Sequence, residues 1–306
     1  MRKFSLWMKT IMVGVLCFGL LALAGCGGSD TNPEPGTETG EDTAQTTLEK
    51  VKAQGYVTVG FANEKPYAYQ TPEGELTGEA VEVARVILKN LGIEEMRGEL
   101  TEFGALIPGL QAKRFDMITA GMYITPARAK EVAFANPEYT IGEGLGVKKG
   151  NPLDLHSYED IGNHETAIVA IPSGVIEYDY LTACGVPENR IITVPDISSA
   201  LAAVQAGRAD AFSATGPAVQ ATLETANDPN LERVMDFKQP VIDGKDVKGF
   251  GATAFRKDDN DFREAFNAEL KKLEESGELL KILEPFGFTE QELPGGITAE
   301  EAEKMI

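Results

Sequence analysis

The sequence predicts an α/β protein made of two similar lobes, and three observations carry that prediction. Tyr56 to Phe61, YVTVGF, alternates Val57, Val59 and Phe61 on one face, as a strand does. Glu79 to Leu91 carries Ala80, Val83, Ala84, Ile87 and Leu91 at helical spacing and stops at Gly92. Strand followed by helix recurs along the chain, the pattern of mainly parallel sheets. The third observation is an internal echo: LIPGLQAKRFDMITAG (Leu106 to Gly121) resembles ALAAVQAGRADAFSATG (Ala200 to Gly216). Gln111, Ala112, Arg114 and Asp116 match Gln205, Ala206, Arg208 and Asp210 at one constant offset. Each copy reads as a helix, a tight turn and a short strand beginning at the Asp.

The chain's first residues read as a leader. Arg2, Lys3 and Lys9 precede an almost purely apolar run, Ile11 to Ala24, too short to span a bilayer comfortably and of signal-peptide length. It ends in Leu23-Ala24-Gly25-Cys26, which resembles the bacterial lipoprotein signature. Residues 1–25 are thus expected to be a cleaved signal peptide and Cys26 the lipidated residue, the protein being extracytoplasmic and lipid-anchored to the cell membrane. Residues 26–47, rich in Gly, Ser, Thr, Pro and Glu, are expected to be a disordered tether. Removal of the leader also removes Cys17 and the only tryptophan, Trp7, and leaves Cys184 as the single free cysteine, read as a small buried apolar residue.

The formal net charge is −20, and loss of the leader's three cations makes it more negative. An acidic chain argues against nucleic acid and against electrostatic docking on anionic lipid. No CxxC, HExxH, GxSxG or GxxxxGK[ST] occurs, so the sequence offers no metal, cofactor or catalytic motif. The two histidines, His156 and His164, fall in an expected surface stretch of the second lobe.

Ligands in open α/β sheets sit beyond the carboxyl ends of the strands. After the first copy's strand comes GMYITPARAK, where Thr125 can cap a helix, Pro126 suits its first position and Arg128 lies in the first turn. A guanidinium there is suited to gripping a carboxylate with two hydrogen bonds. After the second copy's strand come Ser213 and Thr215. From the residues alone, Tyr123 serves equally as core or as pocket wall, Phe103 fits the core, Glu64 reads as a loop acid, and Tyr67 and Tyr69 compete for one role.

GFANEKPYAY, GALIPGLQAKRFDMITAGMYITPAR, VQAGRADAF and EPFGFTEQELP together resemble the bacterial extracellular solute-binding proteins of the polar amino-acid type, and within them the ectoine/hydroxyectoine-binding branch. The resemblance spans nearly all of Leu48 to Pro294. It implies a two-lobe clamp of the type II periplasmic-binding-protein kind, with lobe 1 at 48–142 plus 249–291, lobe 2 at 143–248, two hinge strands near Gly142–Lys149 and Val247–Gly251, and an acidic tail at 292–306. It further implies no enzyme activity and a small-molecule ligand delivered to ABC permease subunits that work with a separate ATPase. Ligand contacts carried over are Glu64 for amidinium N–H groups, Tyr67, Phe103 and Tyr123 as aromatic walls, and Arg128 for the carboxylate, with Ser213 and Thr215 offered from lobe 2.

Relatives that bind ordinary amino acids usually have a small hydroxyl in place of Tyr123 and an acid shortly after the second-lobe GRAD strand. Here Ala211 to Thr215 follow Asp210 with no carboxylate, so a compact ammonium is expected to lack its counter-ion. Ectoine, a cyclic amidinium bearing a carboxylate, can instead stack on aromatic faces. One departure stands out: Val175 and Ile176 replace the small polar residue expected in the second lobe. The competing readings are the same importer role for a polar amino acid or a betaine, a dehydratase-like enzyme on the same fold, for which Glu64 is the one obvious acid, and a sensor or adhesin acting through partners.

Overall fold

The computed structural model describes residues 45–242 and 244–305; the leader, Cys26 and nearly all of the tether expected from the sequence lie outside them. The chain begins with α1 (Thr47–Gln54), β1 (Tyr56–Phe61), α2 (Glu79–Asn90), β2 (Glu95–Leu100), α3 (Leu106–Gln111), β3 (Met117–Tyr123), α4 (Pro126–Glu131), β4 (Ala133–Phe134) and β5 (Tyr139–Ile141). It continues through β6 (Glu143–Lys148), α5 (Tyr158–Asn163), β7 (Val169–Pro172), α6 (Glu177–Ala183), β8 (Ile191–Val194), α7 (Ile197–Gln205), β9 (Ala211–Thr215), α8 (Gly216–Ala226) and β10 (Leu231–Arg233). It returns in β11 (Gly249–Phe255) and ends with α9 (Asn260–Ser276), α10 (Glu278–Leu283) and α11 (Ala299–Glu303).

The strands form two main sheets. One has the order β2-β1-β3-β11-β4, with β5 also paired to β11; the other has the order β8-β7-β9-β6-β10. The sheets are mixed where the sequence suggested mainly parallel ones. In the first, β11 runs against β3, β4 and β5; in the second, β6 runs against β9 and β10. Both reversed strands are the ones in which the chain crosses between sheets. Each crossing strand starts at the cleft, where its antiparallel neighbour ends: Glu143 at the start of β6 pairs with Thr215 at the end of β9, and Gly251 in β11 pairs with Tyr123 at the end of β3.

The internal echo has a physical cause. Asp116 accepts a hydrogen bond from Thr58 N at 3.0 Å, and its own N–H donates to Thr58 O at 2.8 Å. Asp210 repeats this on Ile168, at 2.9 and 2.8 Å. In each copy the Asp pins the next parallel strand's backbone, and the turn before it uses a left-handed residue, Lys113 (φ 59) or Gly207 (φ 70). Helix patterning also follows the sequence: α2 buries Ala80, Val83, Ala84 and Ile87, and α9 buries Phe262, Phe266, Leu270 and Leu273 before a left-handed Gly277.

The acidic tail packs on lobe 1: Thr298 and Glu301 form a capping box on α11, Ala302 is fully buried, and Ala299 N donates to Asn136 Oδ1 at 3.2 Å. One expectation needs correction. Cys184 is half-buried rather than buried, its Sγ donating to Glu159 Oε1 at 3.4 Å, and burial together with that carboxylate pushes the thiol up to about 12.

The crossing strand β11 carries a constraint of its own. A Cβ at Gly249 would fall inside the Tyr123 ring, and one at Gly251 inside the Tyr139 ring. Gly249→Ala is therefore expected to lower stability by about 1–3 kcal/mol, the usual cost of overpacking. The same substitution made in a Tyr123→Ser background should cost much less, and denaturant melts of the four proteins in this cycle check it. Equal cost in both backgrounds would mean that the ring is not what occupies the space.

Candidate ligand-binding site

The carboxyl ends of the parallel strands supply one small cleft. Glu64 and Tyr67 follow β1, Phe103 follows β2, Tyr123 ends β3, Arg128 lies in α4, Val175, Ile176 and Glu177 follow β7, and Thr215 ends β9. The local sequence reading of α4 holds: Thr125 Oγ1 accepts from Arg128 N at 3.2 Å and Pro126 occupies the first turn. The cleft holds a cavity of about 30 Å³, room for about two water molecules. A ligand of amino-acid size therefore enters only when the two lobes part.

Several contacts bridge the cleft. Tyr67 Oη and Thr215 Oγ1 share a hydrogen bond of 2.6 Å. Arg128 donates from Nη1 to Tyr123 O at 3.0 Å in its own lobe and from Nη2 to Gly174 O at 3.1 Å in the other. The backbones at Gly104 and Gly174 approach so closely that a Cβ on Gly174 would lie 2.5 Å from Gly104 Cα. Phe103 faces the guanidinium at 5.2 Å from ring centre to Cζ.

Of the residues expected from the sequence, Glu64, Tyr67, Phe103, Tyr123, Arg128 and Thr215 are brought together here; Ser213 is not. Strand alternation puts Ser213 and Thr215 on one face of β9, but only Thr215, at the strand end, reaches the rim. Two residues deeper, Ser213 Oγ donates to Gly144 O at 2.9 Å and pairs with Tyr158 Oη at 2.6 Å. Tyr67, and not Tyr69, faces the cleft. Its ring stacks on Tyr139 at 5.3 Å, backed by Phe288 at 6.2 Å. Tyr123 donates to Ile141 O at 3.3 Å and is both wall and packing.

The expectation that lobe 2 brings no carboxylate to the cleft is overturned by Glu177, the first residue of α6, 4% exposed. Behind it lies Glu143, the first residue of β6, 2% exposed. The acid comes from beyond the end of β7 and not from the end of β9, the strand that follows the GRAD turn. The usable signal was IPSG, a strand end and turn, with an acid three residues beyond the Gly.

Burial dominates the electrostatics. Glu64 is half-buried as a residue, but its carboxyl lies within the closed cleft, where dehydration and then the Glu177 charge push it up to about 8. Burial also raises Glu177, against the opposing pull of its own backbone N–H, the Glu143 carboxyl and Arg128. Arg128 is lowered by burial. A larger hollow, about 670 Å³, lies in lobe 1 between α9, α10 and residues 293–298. It lies away from the strand ends and gathers no aromatic rings, so the small cleft is the better candidate.

The chain matches the family model of bacterial extracellular solute-binding proteins, family 3, over residues 57–290. It is 42% identical over 255 residues to a probable amino-acid ABC transporter periplasmic-binding protein, y4tE, of Sinorhizobium fredii, covering 83% of this chain and 82% of that one. It is 30% identical over 258 residues to the glutamine-binding protein of Geobacillus stearothermophilus, covering 80% and 95%. Among solved structures, EhuB in complex with hydroxyectoine matches with a TM-score of 0.77 and 39% identity over 84% of this chain and 97% of that chain. An ancestral amino acid-binding protein, AncCDT-1, described as a precursor of cyclohexadienyl dehydratase, matches with a TM-score of 0.67 and 27% identity, covering 79% and 99%. With its two mixed sheets, its crossing strands and its cleft at the strand ends, this chain belongs to family 3 of the bacterial extracellular solute-binding proteins, and is the substrate-binding protein of an ABC importer of the amino-acid type.

Proposed function

We propose that this chain captures ectoine and hydroxyectoine for import, as a protein lipid-anchored through Cys26. The observation that carries the reading is the meeting of three aromatic rings, Tyr67, Phe103 and Tyr123, with one guanidinium in one cleft. Ectoine's carboxylate goes to Arg128, its flat amidinium lies against the rings, and its N–H groups go to Glu64. Thr215 offers a hydroxyl from lobe 2. Hydroxyectoine in the similar EhuB structure supports the choice of ligand. Lobe closure over the solute presents the form that permease subunits read, with ATP hydrolysed by a separate protein. A polar amino acid is the second reading, and Glu177 favours it, since a lobe 2 carboxylate can hold an α-ammonium.

Calorimetric titration of protein beginning just after Cys26 separates the two. Ectoine is expected to bind at micromolar Kd or tighter, about −8 kcal/mol, with glutamine, arginine and glycine betaine weak or silent. Arg128→Ala should weaken ectoine binding by roughly 2–5 kcal/mol, as loss of one partner of a buried charge pair does. Binding of glutamine or arginine in preference to ectoine would transfer the site to the second reading. Acylation of Cys26 is checked separately: a clickable palmitate should label the full chain, and Cys26→Ser should abolish the label.

Closure of the empty cleft should also depend on pH. Glu64 moves from an ordinary value near 4.5 in open solvent to about 8 when enclosed. Raising a carboxyl's pKa disfavours the enclosing state progressively as pH rises from about 4.5 to about 8, because only there must a proton be taken up on closing. Small-angle scattering of ligand-free protein should show opening across that window. Glu64→Gln should reduce the response without abolishing it, because burial also raises Glu143 and Glu177, and a wild-type radius that ignores pH would refute it.

A further inference from the structure

The two lobes touch backbone to backbone at a place where neither has a side chain. Gly104 stands in the turn after β2, and Ser173 and Gly174 in the turn after β7; all three are exposed, at the mouth of the cleft. A Cβ on Gly174 would lie 2.5 Å from Gly104 Cα, well inside the about 3.5–4.0 Å at which unbonded carbons rest. A Cβ on Gly104 would lie 3.2 Å from Ser173 O and 3.5 Å from Gly174 Cα, a tight fit with no room for a branch towards lobe 2. The two glycines are there for different reasons. Gly174 has a φ of 80, which favours glycine whatever lies opposite. Gly104 is not among the positive-φ residues, so its own turn accepts a side chain and only the facing lobe excludes one. The sheets give this contact leverage. Gly104 follows the strand three places from the crossing strand β11, and Gly174 the strand two places from β6. With strands about 4.8 Å apart, the contact stands about 10–14 Å from the hinge, and about 1 Å of added thickness there turns the lobes apart by about 4–6°. The same step carries Arg128 Nη2, now 3.1 Å from Gly174 O, out of hydrogen-bonding reach.

We propose that Gly104 is a specificity-determining residue of the cleft: with Gly174 it sets how far the lobes close, and its missing side chain lets them shut tightly enough to favour compact solutes over long ones. The inference deepens the reading of the cleft as the solute site and holds for either solute class, ectoine or a polar amino acid. With both backbones bare, Arg128 joins the lobes beside the contact, its guanidinium 5.2 Å from the Phe103 ring. A side chain at position 104 would hold the mouth apart, admit water to the guanidinium and leave a compact solute short of its lobe 2 contacts. A longer solute would fill the widened space and lose less. Valine is the suitable wedge, because a β-branched chain is stiff at χ1 and cannot swing out of the way.

The test compares wild type with Gly104→Ala, Gly104→Val and Glu102→Ala, titrated with ectoine, L-glutamine and L-arginine and followed by stopped-flow tyrosine fluorescence. Glu102 is exposed in the same turn and its side chain caps nothing, so it controls for damage to the turn. For the compact solute that wild type binds more tightly, Gly104→Ala should lose about 3-fold in affinity and Gly104→Val roughly 10-fold or more. The loss should fall in the dissociation rate, with association within about 3-fold of wild type, because solute enters through the open form. Wild type should prefer that solute to L-arginine, and Gly104→Val should narrow the preference by roughly 10-fold. Ligand-free melting temperatures should agree, since the substituted positions are exposed. Compact-solute binding to Gly104→Val within about 3-fold of wild type, an equal loss in Glu102→Ala, or a loss confined to association overturns the proposal. So does wild type that binds L-arginine as tightly as the compact solute. If wild type binds L-glutamine and not ectoine, the ectoine reading fails and this inference is decided on glutamine. Wild type that binds none of the three overturns both.

Discussion

Aromatic rings in this protein pass through places that only glycine leaves open, and the cleft depends on that packing. Tyr123 lies against Gly249 and Tyr139 against Gly251, both in the crossing strand β11, while Tyr67 lies against Gly121, whose φ of 61 already favours glycine. Tyr67 and Tyr139 then stack, and Phe288 closes the cluster tilted against them, 5.2 Å from Tyr139. The rings that wall the cleft are therefore packed on the strand through which the chain returns to lobe 1. Pocket wall and hinge are one close-packed body, so a change of volume at either is felt at the other.

The closed cleft also balances charge in a chain that is strongly acidic overall. Arg128 spends two of its five N–H donors on carbonyls, one in each lobe, and so spans the gap while keeping donors for a ligand. Three carboxyls surround it, from Glu64, Glu143 and Glu177, and dehydration raises each of them. On the proposed reading, a ligand that offers both charges meets a partner for each of its own in this space. The binding energy and the closing energy are the same interactions counted once.

Much of this was legible in the sequence, for identifiable reasons. Period-2 and period-3.6 patterns marked β1, α2 and α9, because each buries one face. The echo of Gln-Ala-x-Arg-x-Asp was legible because the Asp does the same backbone work in both lobes. What escaped depended on where backbone leads side chains in three dimensions. Ser213 and Thr215 share a strand face, and only depth along the strand separates packing from rim. Glu177 follows an apolar Val-Ile pair that read as a loss of polarity, although the next residue restores a charge. The reversed crossing strands carry no local signal; their direction is set by where the chain enters each sheet. Lipidation of Cys26 rests on the sequence pattern alone, outside the described residues.

Tyr123 can now be weighed quantitatively. A compact ammonium and a flat amidinium carry the same charge, so charge pairing in the cleft does not tell them apart. Discrimination must come from the rings. Each dehydrated ring face favours a cation by about 0.5–2 kcal/mol, and a diffuse, weakly hydrated cation gives up less water to reach it. With Tyr67, Phe103 and Tyr123 around one small space, even the low end of that range sums to about 1.5 kcal/mol, a factor of ten in affinity. A hydroxyl in place of Tyr123 would remove one face and admit water beside the cation, returning the advantage to the ammonium. On the proposed ectoine reading, the ring at that position selects the shape of the cation.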